Sequence, residues 1–258
     1  MPETATFAPG TPVWVDLSTG DVDASKRFYT SLFGWDAQNL GPEAGGYTML
    51  RLRGKEVAAL SPAQAPGQPT AWSVYVGSAD ADATAKKVRD SGGAVIAEPF
   101  DVLDAGRMAV FSDPGGAVFS VWQPGTHRGA EVAGEPGSLA WAELETRDPS
   151  AVTGFYGKVF GWGTHTSQGP VEYTEWKLGD QSVAGMMRMD AKAIPAEVPP
   201  HWLVYFGAAD ADAVTAKAKG LGAQVLVPPT AIPQGDMRFS VLRDPQGAVF
   251  GLLQMGHS

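Results

Sequence analysis

No cysteine occurs in the 258 residues. That removes disulfides, a thiolate nucleophile and thiolate-held zinc or iron–sulfur centres. Positive charge is scarce: 19 Lys and Arg stand against 28 Asp and Glu, a net charge of −9, with no basic cluster. A nucleic-acid-binding face needs clustered cations for the phosphates, and docking on an anionic bilayer needs them too; neither partner is expected. No apolar run approaches the roughly 20 residues of a membrane span. The opening "MPETATFAPG" lacks the basic and apolar regions of a secretory signal, so a cytoplasmic protein is expected. The glycine clusters form no GxGxxG after a first strand and no Walker loop, and no GxSxG elbow occurs.

What is present is a long repeat. "FYTSLFGW" at 28–35 returns as "FYGKVFGW" at 155–162, and "DADATAKK" at 80–87 returns as "DADAVTAK" at 210–217. "DPGGAVF" at 113–119 returns as "DPQGAVF" at 244–250. The order is identical and the offset only drifts, from 126 (Tyr47 to Tyr173) to 131 (Asp113 to Asp244). Such spacing means duplication of a whole unit, not a short solenoid. Between the copies, residues 124–138 are rich in Gly, Pro and polar residues without a hydrophobic period. They read as a linker, giving units of 11–123 and 139–254.

Within each unit the pattern reads βαβββ twice. Residues 13–18 alternate as a strand. Asp21 can cap a helix over 22–33, stopped by Gly34. Short strands follow near 35–40, 46–53 and 56–61. The pattern then restarts with a strand at 72–77, an Asp80-capped helix, and strands near 94–100, 106–112 and 117–123.

A strand, a helix ending in FYxxxFGW, a second helix opened by DxDA and a closing DPxGAVF strand resemble the vicinal oxygen chelate superfamily, which includes glyoxalase I, bleomycin-resistance proteins and extradiol dioxygenases. The match rests on Phe28, Tyr29, Phe33, Gly34, Trp35, Asp80, Asp82, Ala83, Asp113, Pro114 and Gly116, and on their counterparts in the second half. It implies an α+β fold: four βαβββ modules forming two glyoxalase-like domains, with curled, cup-shaped mixed sheets and helices on the outside. The duplicated form is similar to a bacterial group of glyoxalase-like proteins. Most motif residues read as packing, turn and capping residues: Phe28, Phe33 and Trp35 are expected to fix helix to sheet.

The resemblance places a ligand inside the cup, and strand parity says which side chains reach it. Trp14, Asp16 and Ser18 should face the cup, with Val15 and Leu17 toward the helices. Trp141, Glu143 and Glu145 should face the second cup, with Ala140, Ala142 and Leu144 turned away. An inward acid in the same slot of both halves needs a donor, a cation or a ligand. Metal-dependent relatives hold their ion with His, Gln or Glu in three strand slots. Here those slots fall on Trp14, Ser73 and Ser120, and on Trp141, Leu203 and Gly251. None is a good divalent-metal ligand, so no metal and no other cofactor is expected. Of the four histidines, His127 falls in the linker, His165 in a turn and His257 near the end; His201 shares cup-facing parity. Asp16, Glu143 and His201 are the candidate catalytic residues. Trp14, Ser73, Tyr75, Ser120, Trp122, Trp141, Leu203 and Tyr205 are the candidate ligand-binding residues, an aromatic lining suited to a flat hydrophobic molecule.

Three functions follow: metal-free binding of a small molecule in the manner of bleomycin-resistance proteins; a lyase, isomerase or oxygenase with an improvised site around Glu143 and His201, where a divalent metal is still admitted; or a scaffold whose cups are filled. The partner is a small molecule, and the chain is a monomer acting as its own pseudo-dimer, or a homodimer.

Overall fold

The computed structural model describes residues 8–167, 172–190, 192, 194–232 and 236–256; the start of the chain and His257, both considered above, lie outside them. The first half runs β1 (Pro12–Thr19), α1 (Val22–Phe33), β2 (Asp36–Asn39), β3 (Thr48–Leu52), β4 (Lys55–Pro62), β5 (Ala71–Gly77), α2 (Ala81–Asp90), β6 (Ala94–Val102), β7 (Gly106–Ser112) and β8 (Val118–Pro124). The second repeats it: β9 (Leu139–Thr146), α3 (Pro149–Phe160), β10 (Gly163–Ser167), β11 (Tyr173–Leu178), β12 (Gln181–Arg188), β13 (His201–Gly207), α4 (Ala211–Gly220), β14 (Gln224–Ala231), β15 (Arg238–Arg243) and β16 (Val249–Gln254).

Each half builds its own eight-stranded mixed sheet, ordered β2-β3-β4-β1-β5-β8-β7-β6 and β10-β11-β12-β9-β13-β16-β15-β14. Each cup is therefore made within one half. The α+β class and the four-module architecture stand as the resemblance implies. His165 belongs to the exposed edge strand β10, not to a turn.

Local chemistry sets the helix ends. The carboxylates of Asp21, Asp80, Asp148 and Asp210 accept first-turn backbone N–H groups, satisfying donors that no intrahelical carbonyl can reach. Gly34 and Gly161 close α1 and α3 at φ +71° and +76°, left-handed backbone where a side chain would be strained.

The helices lie outside the cups, each with one face exposed and the other buried between the halves. α1 packs against α4 of the other half, and α2 against α3. One apolar core therefore draws residues from both halves, Val15, Leu17, Leu144 and Phe250 among them. The doubled motif sits in this seam. The Trp72 indole N–H donates to the Tyr29 hydroxyl, which donates to Asp244 of the opposite DPxG turn, both at 2.9 Å. The mirror set runs from Trp202 through Tyr156 to Asp113 at 3.0 and 2.9 Å. The Trp35 and Trp162 indoles each donate to a backbone carbonyl outside their own half, Gly137 in the connecting segment and Gly10 just before β1, both at 2.7 Å. The motif was expected to fix helix to sheet; it also fastens one half to the other, with the Phe33 and Trp35 rings packed on Phe206.

Residues 124–138 are tied down as well. Ala130 and Glu131 N–H groups bond to the carbonyls of Val13 and Glu56, and single bridges join Ala133 to Leu139 and Pro136 to Gly207.

Candidate functional site: two aromatic cups with buried acids

Strand pairing brings the cup-facing residues together. β1 lies between β4 and β5, so Asp16 pairs with Ala59 on one side and Ser73 on the other, while Trp14 pairs with Tyr75. β9 places Glu143 between Gly185 and Leu203, and Trp141 beside Tyr205. Val15, Leu17, Ala142 and Leu144 face the helix core, as parity requires. Ala140 does not: a shift in pairing between Tyr205 and Phe206 sends Leu139 to the core and leaves Ala140 on the cup side. A bulge of this kind reverses the alternation locally.

In the first cup, Tyr75 and Tyr47 both donate to Asp16 Oδ2, at 2.9 and 3.1 Å. The Trp14 indole N–H donates to the Tyr47 hydroxyl at 2.9 Å. In the second, Tyr205 donates to Glu143 Oε1 at 3.0 Å, and Tyr173 also hydrogen-bonds Glu143. The Trp141 indole donates to Tyr173 at 2.8 Å. The same chain, Trp to Tyr to carboxyl with a second Tyr closing on it, is thus built twice from equivalent positions. Tyr47 and Tyr173 were not among the residues expected from the sequence. Their signal was present, because the "YT" at 47–48 returns at 173–174, an offset of 126 beside the 127 that separates Asp16 from Glu143.

The acids are buried: Asp16 is 5%, Glu143 6% and Glu145 5% exposed. Burial pushes the Asp16 carboxyl up to about 6 against the pull of Tyr75, Tyr47 and Ser73. Loss of water disfavours the charged form. Glu143 and Glu145, two residues apart on β9, are both raised, chiefly by burial; repulsion between them adds to the rise at Glu145, which shares a hydrogen bond with Glu143. Ser73, Tyr47 and Met108 at the first cup, and Trp141, Tyr173 and Phe239 at the second, are only partly buried. The rims therefore offer aromatic and apolar surface above the acids.

The other candidates fall around them. Ser120 pairs with Tyr75, and Trp122 packs in the same cluster as Trp14 and Tyr75. Leu203 and Tyr205 cluster in the second cup. His201 stands opposite Glu145, but its Nδ1 lies 2.9 Å from the Pro199 carbonyl. Burial holds its pKa below the ordinary imidazole value, so it is a neutral neighbour of the acids, bonded to backbone. His127, which the linker position gave no reason to single out, folds back onto the first cup. Its ring stands edge-on to Trp14 and Trp122, with Nδ1 3.2 Å from Glu56 Oε2. A cavity of about 250 Å³ opens beside Trp141, Ala133 and Pro12, and one of about 410 Å³ by Val22, Pro62 and Gln68; neither is lined by Asp16 or Glu143.

The six slots that correspond to metal ligands in relatives do not suit a divalent ion. Both indole N–H groups are donors already bonded to tyrosine. Gly251 has no side chain, and the Tyr205 ring fills its place: a Cβ there would lie 2.1 Å from the ring. Among the described residues, no three His, Asp or Glu side chains are grouped as an ion would require.

Family models agree with this architecture. The model described as "Glyoxalase/Bleomycin resistance protein/Dioxygenase superfamily" matches residues 11–121, and a glyoxalase-like domain model matches 141–253. CFP32 of Mycobacterium tuberculosis, provisionally named a glyoxylase, is 45% identical over 98% of both chains. The anthracycline biosynthesis protein DnrV of Streptomyces peucetius is 43% identical over 96% of this chain and 94% of its own. Among solved structures, the Mn(II)-bound glyoxalase of Novosphingobium aromaticivorans has TM-score 0.67 at 18% identity, covering 96% of this chain and 83% of that one. The trihydroxybiphenyl dioxygenase of Sphingomonas wittichii has TM-score 0.68 at 15% identity, covering 97% and 92%. At such identities the likeness is one of fold.

Proposed function

Because the chain belongs to the glyoxalase/bleomycin resistance protein/dioxygenase superfamily, we propose that it is a small-molecule-binding member whose two cups take flat aromatic ligands without the metal chelate of its catalytic relatives. The observation that carries this reading is the duplicated Trp–Tyr–carboxyl–Tyr chain. Folding does not need a buried acid there, since an apolar residue of similar size would avoid the desolvation cost. A ligand with hydroxyl or carbonyl groups gives it a use. Tyrosine and tryptophan surfaces fit the face of a fused ring system, and the acid and hydroxyls fix its orientation. The resemblance to a protein named for anthracycline biosynthesis points to planar polycyclic ligands. The chain is its own pseudo-dimer and works as a monomer or a homodimer in the cytoplasm.

A thermal-shift series with hydroxylated anthraquinones tests this. A ligand that binds only the folded chain at roughly 100 times its Kd should raise Tm by about 5 °C or more. Tyr75→Phe and Tyr205→Phe should each weaken the effect. No shift with any planar aromatic would sink the reading.

A second reading rests on the Glu143–Glu145 pair. Two buried acids sharing a proton can serve as general acid and base, as a lyase or isomerase of this superfamily would require. Buffer-catalysed exchange of a ligand's acidic C–H for deuterium, accelerated by the protein and lost in Glu143→Gln, would favour that reading.

A further inference from the structure

Resting on the reading of the second cup as a ligand site, we propose that this cup is selective for aromatic amines and holds their ammonium group between Glu143 and Glu145. The two carboxyls project from alternate positions of β9 onto the same face and are almost fully buried. Glu143 has tyrosine donors. Apart from the hydrogen bond that Glu145 shares with Glu143, its Oε2 has no partner. A buried acceptor without a donor is costly and uncommon, and its most direct remedy is a donor brought by a ligand.

The charge is also uncompensated. Among the described residues no Lys or Arg forms an ion pair with either acid; Lys177 on β11 is held by Glu175 at 2.9 Å. The titratable groups around the pair are Tyr173 on β11, His201 and Tyr205 on β13, and each acid's partner on β9. None is cationic at neutral pH, since burial keeps His201 uncharged. Two buried acids, no base and a free carboxyl oxygen form a receptor for a cation. Burial raises both acids, and repulsion from Glu143 adds to the rise at Glu145; an ammonium ion would replace the proton they share.

The surroundings favour an organic cation. Trp141, Tyr173 and Tyr205 are aromatic neighbours of the pair, a side-chain class that attracts ammonium, while Leu203 and Met187 offer no ligand to replace the waters of a metal ion. The first cup lacks the second acid of the pair. Ser18 occupies the slot of Glu145 and bonds to Gln68 at 3.0 Å. That cup has a single buried acid, Asp16, satisfied by tyrosines, and its Glu56 is already paired with Arg51 and His127, so it should not prefer amines.

Isothermal titration of naphthylmethylamine and its neutral counterpart naphthylmethanol into the wild-type chain and into Glu145→Gln tests the proposal, with near-UV circular dichroism confirming that the variant is folded. The amine should bind the wild type about tenfold or more tightly than the alcohol, the scale of a charge-assisted hydrogen bond. Glu145→Gln should remove that preference and leave the alcohol unchanged. The comparison within the wild type needs no variant and decides the case if the variant does not fold. Equal binding of amine and alcohol would overturn the inference while leaving the aromatic cup intact. An amine preference that survives Glu145→Gln would overturn it by placing the cation elsewhere. Stoichiometric Zn²⁺ or Mn²⁺ that expels the amine would make this a metal site and overturn it too. Tight binding of cyclohexylmethylamine, equal to the naphthyl amine, would keep the cation site but defeat the aromatic reading. Failure of every probe to bind would end both.

Discussion

Asp16 takes two tyrosine hydroxyls on one oxygen, and this makes its contribution to stability measurable. Its folded pKa of about 6 lies above the ordinary 3.8. The folded state therefore binds the proton more tightly than the unfolded chain. The stabilisation is fully present below the unfolded pKa and is lost as pH rises through the folded value. Across that window the loss is about 3 kcal/mol. Asn keeps an acceptor where both tyrosines bond and cannot ionise. Asp16→Asn should therefore match the wild type near about pH 4 and exceed it by about 1–3 kcal/mol near about pH 8 in urea unfolding. Equal destabilisation at both pH values would show that the acid carries no burial penalty. That Asp16 and Glu143 face the cups was legible from strand parity alone. Tyr47 and Tyr173 were not placed, because they stand at the start of the third strands, Tyr47 just before β3 and Tyr173 first in β11, whose register against the first strand cannot be read from alternation. His127 was invisible for a different reason: a segment without a period gives no hint that it folds back.

At the scale of the element, α1 and α3 show why the boundaries were readable and the partners were not. Aspartate caps, glycine stops and helical spacing act over a few residues, so helix and strand limits follow from sequence. The hydroxyl of Tyr29 instead meets Asp244, across the seam between halves. Tyr29→Phe leaves that carboxyl oxygen and the Trp72 indole N–H without their buried partner. It should cost about 1–3 kcal/mol, and Tyr156→Phe should cost a similar amount through Asp113 and Trp202. Urea unfolding measures both. Losses under about 0.5 kcal/mol would show that the seam does not depend on these bonds. The bulge at Ala140 belongs here as well. One residue of extra backbone undoes parity locally, and nothing in "SLAWAEL" announces it.

At the scale of the whole molecule, duplication gave two cups and one core. Because the apolar faces of both sheets meet through the four helices, neither half buries its core alone. The chain should unfold in a single calorimetric transition, with calorimetric and van't Hoff enthalpies equal. Residues 11–123 expressed alone should aggregate or dimerise through the exposed seam. A folded, monomeric half would contradict this picture of the core. The resemblance gave the architecture. It did not give the exchange of hydrogen bonds between halves, nor the difference between a one-acid and a two-acid cup.

The most direct test of the account counts ligands. Native mass spectrometry of the intact chain with a dihydroxyanthraquinone in excess should show two molecules bound per chain, one for each cup. Tyr75→Phe combined with Trp14→Phe should reduce this to one. No bound ligand, or a count unchanged by those substitutions, would contradict the claim that the buried acids and their aromatic neighbours form two binding sites.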